Sequence, residues 1–462
     1  MSKSQVSSQE LFRFDGKPDV KATIPLSLQH VVAMIVGCIT PALIVGGAAK
    51  LEGHDQVLLI QMSLVMSAIS TLIMLFPILG KVGARLPVII GASFAYVPTM
   101  AAVAAQYTGT YGPKEAIGVI LGSQIIGGVV AIVFGLGMRW IKPLFPPLVS
   151  GTVVFVIGLS LYKVAFQYMG GAGSVSAPGW GDWKHWLIAF LTLACGIGLN
   201  FFGKGLFKLS SVLFAMIFGY LVSIPFGLVN LDKVANASWF EIARPLHFGL
   251  RFEVPVIISF VILFIVNSIQ AIGDFTSTTV GGMDREPSQS ELQGGITAYG
   301  VTNILGALMG CLPGATYSQN VGIVSQNKVV ARRVFTVAAG IILVAGLFPK
   351  LSGFLTTVPY AVIGGATLSV FAMITMNGLK LISKQPLTAR NTLIVGLSVA
   401  SGLGFTAVCD MSKNVAGAVD KMGWISPGMY TAFGTSPVVV SCLVAIILNL
   451  VLKAKAEDLP QG

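Results

Sequence analysis

The chain has 462 residues, of which 54% are hydrophobic and 10% are charged, and its mean hydropathy is +0.83. Soluble proteins carry about 25% charged residues, so these values exclude a soluble globular protein and indicate a polytopic membrane protein. The net charge of +11 is attributed to loops that set topology rather than to nucleic-acid binding. The five cysteines lie far apart and lack the spacing of a metal site or a disulfide framework.

Fourteen segments are candidates for membrane spans, because each offers the run of about 20 largely apolar residues that a spanning helix needs. They begin near residues 26, 57, 87, 116, 143, 184, 208, 254, 294, 315, 334, 357, 391 and 434. The polar N-terminus lacks the apolar stretch of a cleavable signal peptide. An even number of spans places both termini on one side, together with most of the 29 Lys and Arg. The positive-inside tendency therefore predicts cytoplasmic termini.

The third and tenth segments are interrupted by proline, glycine and polar side chains. They read LPVIIGASFAYVPTM and LPGATYSQNVGIVSQNK. Ser93 follows Pro87 by six residues, and Gln319 follows Pro313 by six residues. Matched polar side chains in the broken segments of two halves are typical of transporters that bind substrate between those halves.

The backbone of these two segments is expected to leave the helical conformation at membrane depth. Such backbone is tolerated only where it is buried in protein or lines a cavity. We expect short extended stretches at residues 92–94 and 315–317, each leading into a helix. The N–H groups freed at those helix starts would attract electronegative atoms of a substrate.

A second match follows the same order in the fifth and twelfth segments. Gly151 follows Pro146 by five residues, and Gly364 follows Pro359 by five residues. Either match alone is compatible with chance in a chain with 54 Gly and 22 Pro, whereas both in one order favour a true repeat. Because seven is odd, two halves of seven spans would have inverted topology, which places the substrate near the midplane.

The eighth segment carries Asp274, the acidic residue that falls clearly inside a predicted span. A carboxylate within the membrane is costly and indicates a functional site by default. Gln270 lies four residues earlier and therefore on the same helical face. The structural alternative places Asp274 at a helix end, where water reaches it and where it only holds two helices together.

Three further polar residues are candidates for the site. His30, in the first segment, either packs as a satisfied core histidine or hydrogen-bonds to the eighth segment and orients Asp274 or Gln270. The adjacent amides of Gln319 and Asn320, if buried at a helix start, would be expensive without partners. An amide offers a donor and an acceptor together, so it pairs well with a heterocycle that presents a carbonyl beside an N–H.

Ser93 and Phe94 are weaker signals when each is taken alone. Serine often bonds the backbone of its own helix, and aromatic side chains usually pack against their neighbours. Beside an extended break, however, the ring of Phe94 is in a position to stack on a planar substrate.

The segment around Gln319 resembles the signature of the nucleobase–ascorbate transporter family, also called nucleobase–cation symporters of the xanthine/uracil permease type. That signature is Gln, Glu or Pro, then Asn-x-Gly, four residues, Thr, and finally Arg, Lys or Gly. Here QNVG and IVSQ are followed by Asn327 and Lys328, so Asn stands in place of Thr. Gln at position 319 is the form typical of purine-type members. LSLQHVVAMIVGCITPALIVGG and LFPPLVSGTVVFVIGLSL also resemble the family, which extends the similarity over most of the chain, nearest to bacterial xanthine and urate permeases.

The resemblance implies an all-α polytopic membrane protein with 14 transmembrane segments as a 7+7 inverted repeat, and short β-strands in segments 3 and 10. Segments 1–4 and 8–11 would form a core domain, and segments 5–7 and 12–14 a gate domain. The expected divisions are a cytoplasmic tail (1–24), core (25–139), gate (140–232), core (250–349), gate (355–453) and a second cytoplasmic tail (454–462).

Carried over by position, the resemblance also assigns roles to single residues. Phe94 would stack on the base, Gln319 and Gln270 would bind it, and the backbone near Ser93 and Ser318 would add hydrogen bonds. The remaining roles are coupling and site shaping, for Asp274, His30 and Asn320.

Two residues depart from the family pattern. Purine and uracil members usually carry Glu at the position of Gln270, and that Glu is a main base-binding group that is implicated in proton coupling. Gln keeps two hydrogen-bonding sites but does not titrate. Tyr299 stands where some xanthine permeases have Asp. The resemblance therefore defines the fold more closely than it defines the substrate or the coupling.

The expected function is secondary active import of a purine nucleobase (xanthine, urate or a related oxopurine) by proton symport and alternating access. The alternatives are an uncoupled or sodium-coupled nucleobase carrier, and an anion exchanger on the related 7+7 fold. No enzyme activity, cofactor, metal or nucleic acid is expected. The resemblance also implies a homodimer in the bilayer of the bacterial inner membrane.

Overall fold

The chain is predominantly helical and contains one pair of short strands within its described part. The computed structural model describes residues 9–137, 146–173, 175, 177–204, 206–209, 211–230, 238–241, 244–412, 433–434, 436–455 and 458. The expected domain boundaries near residues 140 and 232, and the start of the fifth candidate span near residue 143, lie outside the described residues.

The main helices are labelled in chain order. They are α1 (Val20–Ala48), α2 (Gly53–Leu75), α3 (Val97–Tyr111), α4 (Pro113–Leu136), α5 (Pro147–Met169), α6 (Trp183–Phe202), α7 (Ser211–Ser223), α8 (Val254–Met283), α9 (Gln289–Met309), α10 (Ser318–Asn327), α11 (Arg332–Gly346), α12 (Tyr360–Ser383), α13 (Ala389–Ser412) and α14 (Pro437–Val451). The strands are β1 (Ile90–Ala92), before α3, and β2 (Gly314–Thr316), before α10. Two short helices, Leu206–Leu209 and Pro349–Thr356, carry no label.

Helix length and composition show a multi-pass membrane protein. Within the described ranges, eight helices are long and apolar enough to cross a bilayer. The count becomes nine if α11 and the short helix Pro349–Thr356, which meet at an angle of 78°, form one broken span. The fourteen-span count stays a prediction, because several other helices are shorter than a bilayer requires.

The helices pack most extensively within two groups. In one group, α4 packs on α8 and α9, and α11 packs on α1 and α2. In the other, α12 packs on α5 and α6, and α14 packs on α5 and α13. β1 and β2 belong to the first group through their contacts with α2, α8 and α9.

Glycines allow α5 and α12 to approach closely at both ends of their contact. A Cβ atom on Gly364, near the start of α12, would lie 2.5 Å from the backbone nitrogen of Met169 and 2.7 Å from the carbonyl oxygen of Ala165. A Cβ on Gly151, near the start of α5, would lie 2.9 Å from Cβ of Leu381. The start of each helix therefore packs against the end of the other, so the two helices run antiparallel.

The segment that precedes α1 is fixed to the same end of the molecule as the start of α11. The carbonyl oxygen of Leu11 accepts a hydrogen bond from the backbone N–H of Val330 at 3.0 Å. Asp15 forms ion pairs with Arg85 at 2.8 Å and with Arg332 at 3.3 Å. Basic side chains are thus concentrated beside the N-terminal segment.

Candidate functional site

The two broken segments satisfy each other's backbone by pairing. β1 and β2 are antiparallel, with Gly91 opposite Ala315. The ladder continues on both sides, because Ser93 N–H donates to the Pro313 carbonyl at 3.0 Å and Tyr317 N–H donates to the Ile89 carbonyl at 3.0 Å. Backbone groups without a helical partner cost several kcal/mol each in hydrocarbon, so the pairing explains why two breaks occur together.

The strands lie slightly earlier than the expected extended stretches. β1 begins two residues before the stretch at 92–94, and β2 begins one residue before the stretch at 315–317. β1 starts three residues after its proline and β2 one residue after its own. Residues at equal spacing from the two prolines therefore do not occupy equivalent positions relative to the two strands. When β1 and β2 are aligned from their first residues, Phe94 is equivalent to Ser318. The expected equivalence of Ser93 and Gln319 is therefore wrong by two residues.

Asp274 connects α8 to the second break. Its side chain is 7% exposed. One carboxylate oxygen accepts a hydrogen bond from the Thr316 hydroxyl at 2.5 Å, and the other accepts one from the Ser318 hydroxyl at 2.8 Å. Asp274 lies nine residues before Met283, the last residue of α8, so it is not at a helix end. Its contacts do hold α8 to β2 and α10, which gives it a structural role.

The start of α10 presents unpaired backbone N–H groups among the described residues. Within the described part of the chain, the backbone N–H groups of Ser318, Gln319 and Asn320 have no acceptor, and Tyr317 provides no side-chain cap. The first N–H groups of a helix lack an intrahelical partner and carry partial positive charge. The Asp274 carboxylate faces this helix end, and the same N–H groups are free to bind an electronegative ligand atom.

The two adjacent amides of α10 have different environments. Asn320 is 1% exposed, and its Nδ2 atom donates to the His30 carbonyl at 3.1 Å and to His30 Nδ1 at 3.1 Å. The carbonyl accepts only from a donor, so these contacts fix the orientation of the Asn320 amide. Gln319 is exposed. The expectation that both amides are buried is therefore wrong for Gln319, which points away from the protein packing.

His30 pairs with α10 and not with α8. Its ring is 1% exposed and lies against the ring of Phe335, with 4.5 Å between the centroids. Because Asn320 donates to Nδ1, the neutral ring carries its proton on Nε2, and this Nε2 atom has no hydrogen-bond partner among the described residues. Of the two alternatives for His30, the hydrogen bond to α8 that would orient Asp274 or Gln270 is absent among the described residues, since Nδ1 bonds to Asn320 and Nε2 has no partner.

Gln270 and Gln319 are both available to a ligand. Gln270 is half-buried and lies one helical turn before Asp274, while Gln319 directly follows Ser318. Each glutamine is thus close in its own helix to one partner of the hydrogen bond between Asp274 and Ser318. Neither glutamine side chain has a hydrogen-bond partner in the described ranges. Each offers one carbonyl oxygen and one NH₂ group.

Phe94 lies where the two helix groups meet. It begins a single 3₁₀ turn, Phe94–Tyr96, and its half-buried ring packs edge-on against Phe371 of α12, with 5.3 Å between centroids and an interplanar angle of 75°. Ser93 caps this turn, since its hydroxyl accepts a hydrogen bond from Ala95 N–H at 3.2 Å. Because the N–H and hydroxyl of Ser93 are already used in the fold, its expected contribution to binding would come from neighbouring backbone.

Sequence reasoning did not predict the contacts of three residues in this region. Thr316 is a partner of Asp274, and Phe371 covers Phe94 from the other helix group. Tyr299 hydrogen-bonds through its hydroxyl to the hydroxyl of Tyr96 and so joins α9 to the 3₁₀ turn. The position of Thr316 inside the broken segment was a usable signal, whereas Phe371 lies in a distant apolar helix that carries none.

Comparisons with known proteins identify the family of this chain. Residues 21–411 match the model of a permease family for xanthine and uracil. The xanthine permease of Bacillus subtilis is 31% identical over 449 residues, which cover 95% of this chain and 96% of that protein. The xanthine permease XanQ of Escherichia coli is 29% identical over 454 residues, with 97% and 95% coverage.

Solved structures show the same fold at low sequence identity. The transmembrane domain of the cyanobacterial bicarbonate transporter BicA superposes with a TM-score of 0.58 at 17% identity and covers 93% of this chain and 97% of that domain. The anion transporter SLC26A9 superposes with a TM-score of 0.58 at 12% identity, covering 94% and 66%. From the extent of the family match, the chain belongs to the xanthine/uracil permease family, the nucleobase–ascorbate transporters, and is a multi-pass membrane transporter rather than an enzyme.

Proposed function

We propose that the protein imports an oxopurine nucleobase, such as xanthine or urate, across the bacterial inner membrane. The observation that carries the proposal is a pair of glutamines without hydrogen-bond partners in the described ranges. Gln270 lies one helical turn before Asp274, and Gln319 follows Ser318, whose hydroxyl bonds to Asp274. An oxopurine presents carbonyl groups beside N–H groups along its edges. Two amides and the free N–H groups of α10 offer complementary donors and acceptors.

The ring of Phe94 supports a planar ligand at this place. Phe371 packs on it in a T-shaped contact, and the Phe94 side chain stays partly exposed. Offset stacking on an aromatic ring contributes about 0.5–1.5 kcal/mol beyond the burial of apolar area. A base stacked on Phe94 and bonded to Gln319 would lie between the two helix groups, where relative motion of the groups opens and closes access.

The two packing groups support a division into core and gate. The core comprises α1–α4 and α8–α11, and the gate comprises α5–α7 and α12–α14. The antiparallel contact of α5 with α12 and the antiparallel pair of β1 with β2 are both what an inverted repeat of seven spans per half would produce. On this proposal the chain has fourteen spans, and the core moves against the gate during alternating access.

Asp274 is proposed to couple transport to protons. Its carboxylate accepts hydrogen bonds from Thr316 and Ser318, which both belong to the segment that holds the base. Protonation would remove the charge and replace one acceptor with a donor, and would thereby rearrange the start of α10. Loading would follow protonation outside, and release would follow deprotonation inside.

The concentration of basic residues beside the N-terminal segment supports cytoplasmic termini. We also propose that the protein forms a homodimer through its gate helices, as the family resemblance implies. In this orientation the segments that precede α2 and α8 lie on the periplasmic side.

An uncoupled or sodium-coupled carrier is a second candidate, because Gln270 does not titrate where related permeases usually carry Glu. Uptake of a labelled purine panel in cells that lack their own purine permeases separates the candidates. Proton symport predicts accumulation of xanthine or urate that a protonophore abolishes. An uncoupled carrier would equilibrate the base with or without the protonophore, and a sodium-coupled carrier would require sodium. Uptake of sulfate or bicarbonate in place of purines would favour the anion-exchanger alternative.

A further inference from the structure

Four titratable side chains meet at the end of the molecule that lies away from the N-terminal segment. His54 and Asp55 belong to the first turn of α2, and Glu241 and His247 belong to the segment that leads into α8. His54 Nε2 lies 2.7 Å from Glu241 Oε1, and His247 Nε2 lies 2.6 Å from Asp55 Oδ1. Asp55 and His247 lie 192 residues apart in the chain, so no sequence motif predicts this cluster.

Three of these side chains bring possible ligand atoms close together. One nitrogen each of His54 and His247 and one oxygen of Asp55 all lie within 4.8 Å of one another. His54 Nδ1 lies 3.9 Å from Asp55 Oδ1. In a tetrahedral zinc site with metal–ligand bonds of about 2.0–2.2 Å, the ligand atoms lie about 3.3–3.6 Å apart. Rotation of both histidine side chains as well as of Asp55 would open the short contact and bring the three ligand atoms to a common spacing.

Glu241 prepares His54 for this role. Its carboxylate occupies Nε2 of the ring, which places the ring proton there and leaves the lone pair of Nδ1 directed toward Asp55. Histidines that ligate metals nearly always donate their other N–H to a carboxylate or carbonyl oxygen in this way. Glu241 is itself held in place, since Ser238 donates to Oε2 at 3.0 Å and Gln61 donates to its backbone carbonyl at 2.6 Å.

His247 is held by its neighbours in the chain. Leu246 adopts a φ of 59°, which is rare for a residue other than glycine. Its N–H donates to the Leu308 carbonyl at 2.7 Å. Phe248 on the other side is 2% exposed. Anchors on both sides fix the direction of the half-buried imidazole, so it loses little conformational entropy when it binds a ligand.

We propose that His54, Asp55 and His247 form a binding site for a divalent transition metal of the Zn²⁺ type, with Glu241 as the carboxylate that orients His54. Two imidazoles and one carboxylate suit Zn²⁺ and similar ions, in contrast to the all-oxygen sites of Mg²⁺ and Ca²⁺. Three protein ligands leave a fourth position open to water. The metal would tie the start of α2 to the segment between α7 and α8.

Zn²⁺ titration of the purified full-length protein by calorimetry tests the site, provided that any affinity tag contains no histidine. His54→Ala and His247→Ala should each weaken Zn²⁺ binding more than 100-fold. Glu241→Gln should weaken it about 10- to 100-fold, as loss of an orienting partner does. The matched control is His185→Ala, which removes a histidine from α6 and should leave the Zn²⁺ affinity unchanged.

His247→Cys separates loss of a ligand from local collapse, because a thiolate also binds zinc. This variant should retain Zn²⁺ affinity within about 10-fold of the native protein. The proposal is overturned if the alanine variants at 54 and 247 bind Zn²⁺ as the native protein does. It is also overturned if His185→Ala loses as much affinity as they do, or if His247→Cys binds no better than His247→Ala. The readout is metal binding, so it is independent of the proposed transport of purines.

Discussion

Ser318 donates a hydrogen bond from its hydroxyl to the Asp274 carboxylate at 2.8 Å, at the residue where α10 begins. The contact joins a charged group in the interior of α8 to the helix start whose backbone N–H groups are free. A change in the charge of Asp274 would therefore be felt directly where a substrate is expected to bind. The first prediction depends on this relationship.

Asp274→Asn should impair accumulation against a gradient more than it impairs binding. Asn keeps the shape of the side chain but does not titrate, so the cycle loses the group that changes charge. Accumulation of labelled xanthine should fall to the equilibrium level, while exchange of internal for external xanthine continues. Full proton-driven accumulation by this variant would refute the coupling role.

Thr316→Val provides the control for a structural role of the carboxylate. It removes one hydrogen bond to Asp274 but leaves the titratable group in place. Accumulation should persist in this variant with reduced protein stability. If Asp274→Asn and Thr316→Val lower the amount of folded protein equally and have the same transport defect, Asp274 only holds α8 to β2 and α10.

Gln319→Ala should weaken substrate binding without affecting the fold. The loss of an amide that pairs with a bound base costs about 1–3 kcal/mol, or roughly 10- to 100-fold in affinity. Direct binding of labelled xanthine to the purified protein measures the loss. Gln289→Ala is the matched control, because Gln289 is also an exposed amide in the first turn of a helix. Native affinity in Gln319→Ala would remove this residue from the site.

Asn320→Ala should lower the stability of the protein, whereas Gln319→Ala should lower substrate affinity and leave stability unchanged. It leaves the buried carbonyl and Nδ1 of His30 without their donor, which destabilises the protein by about 1–3 kcal/mol. The midpoint of thermal unfolding should therefore fall in Asn320→Ala and stay constant in Gln319→Ala, whose side chain is exposed. Equal midpoints for the two variants would contradict the contrast in burial.

Gln270→Glu tests the departure from the family pattern. The substitution keeps the side-chain length, removes an N–H donor and adds a titratable charge. The ranking of purines by uptake should change, and uptake should become more dependent on external pH. Gln289→Glu serves as the control, since it adds the same group to an exposed helix start. An unchanged purine panel and pH profile in Gln270→Glu would place Gln270 outside the site.

The interrupted segments and Asp274 were predictable because the membrane leaves few solutions for broken backbone and buried charge. Pro87 and Pro313 predicted where the helices break, but the residue spacing after each proline did not predict the register in which the two strands pair. The number of residues between each proline and the first strand residue differs between the halves. The structure therefore matches Phe94 with Ser318, which the proline spacing did not predict.

The environment of each polar side chain depended on partners that are distant in sequence. Gln319 and Asn320 are adjacent and chemically alike, yet one is exposed and the other is buried against α1. For His30 the sequence left two alternatives open, a satisfied core position or a hydrogen bond to α8, and its contact with Asn320 depends on the relative position of α1 and α10. The apolar sequence around Phe371 contains no signal that predicts its contact with Phe94.

Uptake into liposomes that contain only the purified protein tests the central claim most directly. An imposed pH gradient, with the inside alkaline, should drive accumulation of labelled xanthine or urate above the external concentration. Accumulation should disappear when a protonophore is added. It should also be lost in Gln319→Ala when the substrate concentration is low enough to occupy less than half of the native protein. If the native protein takes up neither oxopurine faster than empty liposomes do, the assignment as an oxopurine transporter is wrong.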